Sequence, residues 1–275
     1  MRKGVIFLVP VPIGNLKDIT LRALELLAQV RLIACEDTRK TAFLLNHFEI
    51  EPPKLLSFHK FNERSREKSI FAYLEKGEDL AIVSDAGSPA ISDPAQALVA
   101  EAINRDYTVQ ALPGATALIP ALCVSGFNTQ AFQFLGFLPP KRKERDFVLR
   151  QVAQYPHPSI IYESVHHLKT TLAEMLCYFP ERKIAIAREI SKLHEECVRG
   201  KLQEIVEEYK ITEKGEFVIV VDAAPALEIK FPNAEAEKML QTGAGKKSKD
   251  LAAELSDRFG ISKNTAYKYV LEHRK

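Results

Sequence analysis

Several large classes of protein are excluded by what the sequence lacks. Its four cysteines, Cys35, Cys123, Cys177 and Cys197, lie far apart and none belongs to a CxxC pair. That removes zinc ribbons and thioredoxin-type redox motifs, and predicts reduced, mostly buried thiols in a cytoplasmic protein. There is no HExxH. His166 and His167 are adjacent, so they diverge on a helix; His194 and Cys197 are only two ligands. No metal is expected. No GxGxxG follows the first strand, which removes support for a dinucleotide fingerprint. The segment GAGKKSK (243–249) misses the phosphate-loop spacing and has Lys247 where serine or threonine would hold magnesium, so it reads as a basic hinge. No apolar run approaches membrane-spanning length. The opening MRKGVIFLVPVP is broken by Pro10 and Pro12, so it is expected to be a buried strand, not a signal peptide. Nor is there an excess of one charge. The net is +2 over 275 residues, and a nucleic-acid partner would have to be met by a local patch.

What is present is enough apolar residue, 46%, for two modest cores. GVIFLV, VRLIAC, LAIVS and TVQALP read as strands, apolar throughout and so covered on both faces. Between the first two, Asp18 or Thr20 is placed to cap a helix on which Leu21, Leu24, Leu27 and Ala28 share a face. This is a right-handed β-α-β unit. A second series follows, with SIIYES, KIAIARE and EFVIVVD as strands and helices between them. The predicted organisation is α/β: residues 1–117 with a mainly parallel sheet, 118–225 as a second α/β domain, 226–245 as a linker, and 246–275 as a basic tail.

In open α/β sheets, ligands bind beyond the carboxyl ends of the strands. Three turns there are rich in glycine, proline and small polar residues: VPVPIGNLKDIT (9–20), SDAGSPAISDP (84–94) and PGATA (113–117). They lack bulk and offer backbone donors, which suits a polar small ligand. Asp85 and Asp93 have a plainer reading as helix caps. A fourth strand end carries ACEDTRK, in which Glu36, Asp37, Arg39 and Lys40 follow an apolar run. Across the chain, Arg188, Glu189 and Lys192 end another strand. Two charged clusters at strand ends either grip a charged substrate or form a structural ion-pair network in which Arg39 neutralises Glu36 or Asp37.

The tail has eight Lys or Arg against four Asp or Glu from Gly245 to Lys275. Leu251, Leu255 and Phe259 give one apolar face; Ile261, Ala266, Tyr269 and Val270 give another. Ser248 and Ser262 are candidate caps. The pattern is that of a helix-turn-helix with Lys263, Asn264, Tyr267 and Lys268 facing outward, a phosphate-binding surface if it meets RNA.

VPVPIGNLKDITLRALELL, ACEDTRKT, IVSDAGSPAISDP, LPGATALIPAL, GFLPPK, YES, ARE and KGEF, in this order over residues 5–222, resemble the bacterial small-subunit ribosomal RNA methyltransferase I family. That family is a branch of the tetrapyrrole methylase superfamily. The resemblance implies two α/β domains and S-adenosylmethionine as methyl donor between them. It also implies a homodimer that methylates a cytidine ribose 2′-hydroxyl in the decoding region of small-subunit ribosomal RNA, in the assembled subunit. By the same resemblance, Pro12, Asp85, Ile91, Ser92, Ala115, Thr116, Tyr162 and Gly215 would bind the donor. Glu36, Asp37, Arg39, Glu189 and Lys192 would act at the acceptor, and Arg188, Lys246, Lys247, Lys263 and Lys268 would contact RNA. The sequence departs from the family in having Ala95 for a glycine and His167 for an arginine. A tetrapyrrole C-methyltransferase, a silent RNA-binding protein and a generic nucleotide-binding α/β protein are the rival readings.

Overall fold

The computed structural model describes residues 2–273 except 60, 92, 209–211, 213, 226–232 and 244. Two compact units are present, one up to Ala224 and one from Pro225.

The first unit contains two five-stranded sheets. Strands β1 (Val5–Leu8), β2 (Leu32–Cys35), β3 (Lys54–Ser57), β4 (Leu80–Val83) and β5 (Thr108–Ala111) form a wholly parallel sheet in the order β3-β2-β4-β1-β5. The helices among them are α1 (Leu21–Gln29), α2 (Thr38–His47), α3 (Glu63–Leu74) and α4 (Ala95–Asn104). Strands β2 and β4 are buried at every position, as LIAC and LAIV require. The edge strand β5 is mostly exposed, against the expectation that both faces are covered along its length. One core cluster, with Ile6, Leu80, Ile82 and Leu74, lies on one side; another, with Ile33, Val83, Leu27 and Leu45, lies on the other.

Helix α1 is capped by Thr20, whose Oγ1 accepts the Ala23 N–H at 3.1 Å. Asp18 is used elsewhere. The buried face of α1 is Ala23 and Leu27; Leu21 and Ala28 point outward, which corrects the expected face. Leu21 occupies the first helical position, where the turn that would cover it has not yet formed.

After α5 (Leu118–Ser125), strand β6 (Gln133–Phe137), α6 (Arg142–Gln154), β7 (Ser159–Ser164), α7 (Val165–Leu176), β8 (Lys183–Arg188), β9 (Glu196–Lys201), α8 (Leu202–Glu208) and β10 (Glu216–Val221) build the second sheet. Its order is β6-β7-β10-β8-β9, with only β6 and β7 parallel. Strand β9 joins β8 antiparallel with no helix between, so the expected strand-helix alternation fails there. Helix α5 packs Ala121 and Leu122 on Ile160, Ala185 and Val218 of this sheet. Of the cysteines only Cys35 is buried; Cys123 and Cys177 are exposed and Cys197 is intermediate, so "mostly buried" does not hold. Each of the latter three lies on a helix end or edge strand.

In the second unit, Asn233–Thr242 is a helix, α9, inside the stretch expected to be a linker. It packs Ala236 and Leu240 on α10 (Ser248–Phe259) and α11 (Lys263–His273), burying Leu251, Leu255, Ile261, Ala266 and Val270. An alanine-rich, charged segment reads as linker until its two apolar positions find a partner face. Gly260 turns the chain between α10 and α11 in the left-handed conformation (φ 64°). Ser262 Oγ accepts the Thr265 N–H at 3.1 Å, as a cap should. The cap position of α10 is Lys247, not Ser248. Among the described residues no helix is long and apolar enough to cross a membrane.

Candidate active site

The strand order places the carboxyl ends of β2, β4, β1 and β5 side by side, and the loops that follow them are stitched together. Val11 and Gly87 exchange backbone hydrogen bonds at 3.0 Å each way. Ser88 Oγ donates to the Ala115 carbonyl at 3.1 Å. Gly114 lies so close to Pro10 that a Cβ there would fall 2.5 Å from the proline Cβ. The three small-residue turns thus share one site, and their glycines permit the contact.

Two adjoining cavities open on this site. The first, about 360 Å³, lies under Gly87, Ser88, Ile91, Thr116, Tyr162 and Val218. Its ionisable walls are Glu36, Asp85, Asp93, Glu163 and Glu216, plus the Tyr162 phenol; no lysine, arginine or histidine lines it among the described residues. The second, about 680 Å³, is lined by Pro12, Gly14, Phe43, Asp37, Arg39, Lys40 and Lys192 among others. Ile13, Ser84, Asp85, Ala86 and Glu216 border both. One cavity therefore carries carboxylates and no cation, and its neighbour carries three cations, each paired with one of its own carboxylates, Asp37, Asp85 and Glu216.

Asp85 stands at the junction. Its Oδ1 accepts the Asp37 N–H at 3.0 Å and its Oδ2 accepts Lys40 Nζ at 2.7 Å, while its own N–H donates to Glu36 Oε1 at 3.2 Å. Asp37 caps α2 by accepting the Arg39 N–H at 2.9 Å and receives the guanidinium through Nε at 3.0 Å and Nη2 at 2.7 Å. The guanidinium and backbone N–H of Arg39 hold the Asp37 carboxyl well below the usual carboxylate range. The charged strand end is thus both a helix cap and a cavity wall. Burial pushes the Glu36 and Asp93 carboxyls up. The cap position of α4 is Pro94, not Asp93; the Asp93 carboxylate instead braces the preceding turn, accepting the Ala90 N–H at 2.7 Å and the Ala95 N–H at 2.8 Å. Ala95 begins that helix, so its backbone has no need of the glycine usual in the family.

From the second sheet, Lys192 reaches across. Its Nζ donates to Glu189 Oε1 at 2.8 Å and Glu216 Oε2 at 2.9 Å. Burial lowers its pKa, but the two carboxylates outweigh this and the net shift is upward. Glu189 is held below its ordinary value against its own burial by Lys192 and the Glu216 N–H. The loop is locally strained: Glu189 (φ 50°) and Ser191 (φ 67°) are both left-handed. The Ser191 hydroxyl hydrogen-bonds Asp18 in the first half.

Of the expected donor-binding residues, Asp85, Ile91, Thr116 and Tyr162 line the carboxylate cavity. Pro12 lines the cationic one. Ala115 offers its carbonyl to Ser88, and Gly215 backs Glu189 rather than a cavity. Ser92 lies outside the described residues. Of the expected acceptor residues, Asp37, Arg39 and Lys192 line the cationic cavity, Glu36 the carboxylate one, and Glu189 sits against Lys192. Arg188 is engaged by the Lys214 and His194 carbonyls and by Glu196, and lines neither cavity. Lys246 meets Glu254 at 2.5 Å, whereas Lys247, Lys263 and Lys268 are exposed on the tail unit. His167 lines a cavity of about 180 Å³ with Arg145, beside Phe137, Glu163 and Ser164 of the carboxylate cavity. Lys40 was named only as a member of the charged strand-end cluster, and Glu216 was not singled out from the sequence. The pairing of β2 with β4 brings Lys40 to Asp85, and the loop after β8 brings Lys192 to Glu216.

The model of the family described as Tetrapyrrole (Corrin/Porphyrin) Methylases matches residues 5–206, and the chain belongs to that family. Solved structures share the fold: diphthine synthase (TM-score 0.61, 13% identity, 80% of this chain and 90% of that one). Another is uroporphyrin-III C-methyl transferase from Thermus thermophilus complexed with S-adenyl homocysteine (TM-score 0.54, 17% identity, 79% and 96%). Within the family the chain is similar to proteins named ribosomal RNA small subunit methyltransferase I. That of Halalkalibacterium halodurans is 45% identical over 221 residues, 80% of this chain and 76% of its own. That of Escherichia coli O157:H7 is 38% identical over 276 residues, 99% and 96%.

Proposed function

We propose that this chain transfers the methyl group of S-adenosylmethionine to the ribose 2′-hydroxyl of a cytidine in the decoding region of small-subunit ribosomal RNA. The substrate is the assembled small subunit in the cytoplasm, and the enzyme acts as a homodimer. The observation that carries the reading is the contrast across Asp85: a cavity with carboxylates and no cation beside one where Arg39, Lys40 and Lys192, paired with Asp37, Asp85 and Glu216, can turn to a phosphate. A sulfonium donor with an ammonium group fits the first; a phosphate-bearing acceptor fits the second. The names of the similar proteins support the RNA substrate.

When bound, the donor supplies a methyl carbon already activated for in-line displacement, so the protein's main task is alignment. Thr116, Tyr162, Ile91 and Asp85 hold the donor, with Ala115 supporting the turns around it. Arg39 and Lys40 hold the phosphate. Lys192 stays protonated between Glu189 and Glu216, so it serves as a cation that favours the alkoxide form of the 2′-hydroxyl, not as the base. The proton passes to one of the two carboxylates that border both cavities, Asp85 or Glu216. Glu36 and Asp37 fix Asp85 and the start of α2.

The test is incubation of purified protein with labelled donor and unmodified small subunits, followed by identification of the labelled nucleoside. Label on a cytidine 2′-oxygen is expected. Donor binding without transfer to RNA, and transfer to a tetrapyrrole instead, would overturn the reading.

Donor affinity is expected to fall as pH drops through the values to which burial raises the Glu36 and Asp93 carboxyls, by up to about tenfold per unit for each proton taken up. The sign follows from Glu36 and Asp93, whose carboxyls burial raises. A cationic ligand favours their ionised forms, so binding releases protons. Their contribution to the stability of the donor-free fold runs oppositely, being present at low pH and lost as pH rises through the raised values. Calorimetric titration across this range checks it, and Glu36→Gln should flatten the dependence.

The tail unit presents Lys263 and Lys268 outward, as its helical pattern predicts. If they meet phosphates, the double change Lys263→Glu, Lys268→Glu lowers the slope of log affinity for the subunit against log salt by about 2. An unchanged slope would leave the tail as a solvated surface.

A further inference from the structure

Phe43 has no packing role in the fold. It lies on α2, whose buried residues are Thr41, Leu44 and Leu45, and belongs to none of the apolar clusters of the first unit. Its side chain is 65% exposed. A single exposed phenylalanine is ordinary on a protein surface. This one lines the cationic cavity, four residues after Arg39 and so on the same helical face. The cavity thus offers an aromatic face beside Arg39, Lys40 and Lys192, the pairing of flat apolar surface with phosphate-binding cations that single-stranded nucleic acid uses.

We infer that Phe43 is the stacking platform for the nucleobase of the acceptor nucleotide. The inference rests on the RNA-methylating reading above and adds to it a residue and a geometry. To bring a ribose hydroxyl to the wall shared with the carboxylate cavity, the nucleotide has to leave its neighbours in the strand, and its base then needs a new stacking partner. With the phosphate at Arg39 and the ribose directed to Asp85, the Phe43 ring lies in the same cavity and is free to receive the base. Stacking is tolerant of base identity, so Phe43 positions the nucleotide and does not select it.

Single-turnover methylation of small subunits is measured for Phe43→Ala, Phe43→Leu, Phe43→Tyr and Phe43→Trp, with donor affinity measured separately. Alanine and leucine are expected to lower the rate at sub-saturating subunit about 5- to 150-fold, the range for loss of one base–aromatic stack. Tyrosine and tryptophan should retain most of it, and donor affinity should not change in any variant. Leucine matching tyrosine would overturn the proposal, because any apolar contact would then suffice. So would a wild-type rate in the alanine variant, or a shift of that variant to a smaller oligomer by sedimentation, which would place Phe43 in a contact between copies. Failure of the broader reading looks different: the wild-type protein itself binds donor and leaves the RNA unlabelled.

Discussion

Asp85→Asn is expected to lower methyl transfer to the small subunit about 100- to 1000-fold, the scale of losing one preorganised electrostatic group at a reacting centre, with the fold intact. The substitution is nearly isosteric and keeps an oxygen for the Asp37 N–H, so α2 remains seated. It removes the charge that holds Lys40 Nζ at 2.7 Å and puts a competing donor or a neutral oxygen in its place. It also strips one carboxylate from the wall common to the two cavities. Stability changes little: the pair is 61% and 33% exposed, and such ion pairs contribute about 0–1 kcal/mol. Asp85→Ala goes further, leaving the part-buried Asp37 N–H without its acceptor at an added cost of about 1–3 kcal/mol. Single-turnover rates with donor affinity and melting temperature measured in parallel separate these effects. An asparagine variant within about threefold of wild type would reduce Asp85 to a brace for α2.

Asp85 also shows what a linear sequence carries and what it withholds. The strand LAIV and the turn after it are legible, because an unbroken apolar run followed by Ser-Asp, glycine and proline has few other meanings. That Asp85 meets Lys40 is not legible: the two are 45 residues apart and are joined only because β2 and β4 are neighbours in the sheet. Sequence pattern gives each strand its faces but not its neighbours. The same limit explains Gly215. The family resemblance implied a donor contact there, whereas it makes room for Glu189, a residue whose position depends on a left-handed turn no periodicity announces. Arg188 reads as a free cation at a strand end until the Lys214 and His194 carbonyls are brought to it by the pairing of β8 with β10 and β9. Helix α9 was hidden for a related reason: with two buried apolar positions, Ala236 and Leu240, its identity depends on the face of α10 and α11 against which it packs.

Gly14→Ala is expected to cut kcat by about 100-fold, the cost of misplacing a catalytic group by about 1 Å, while leaving donor affinity near wild type. A Cβ on Gly14 would lie 2.4 Å from Lys192 Cε, 2.5 Å from Cγ and 2.8 Å from Cδ. A lysine stem normally swings aside from such a contact at little cost. This one is held at its far end by Glu189 and Glu216, so moving the stem breaks or stretches both bonds. The backbone adds its own cost, since Gly14 has φ 141°, a conformation that side chains rarely adopt, with strain of about 1–3 kcal/mol. A double-mutant cycle separates the two causes. In Lys192→Ala the stem is gone, and with it the three atoms nearest the added methyl. If displacement of Lys192 is what slows the reaction, Gly14→Ala in that background has no further effect on kcat, although the melting temperature still records the backbone strain. Additive losses in kcat would show that Gly14 acts through the shape of the turn alone, and would remove Lys192 from the reacting centre.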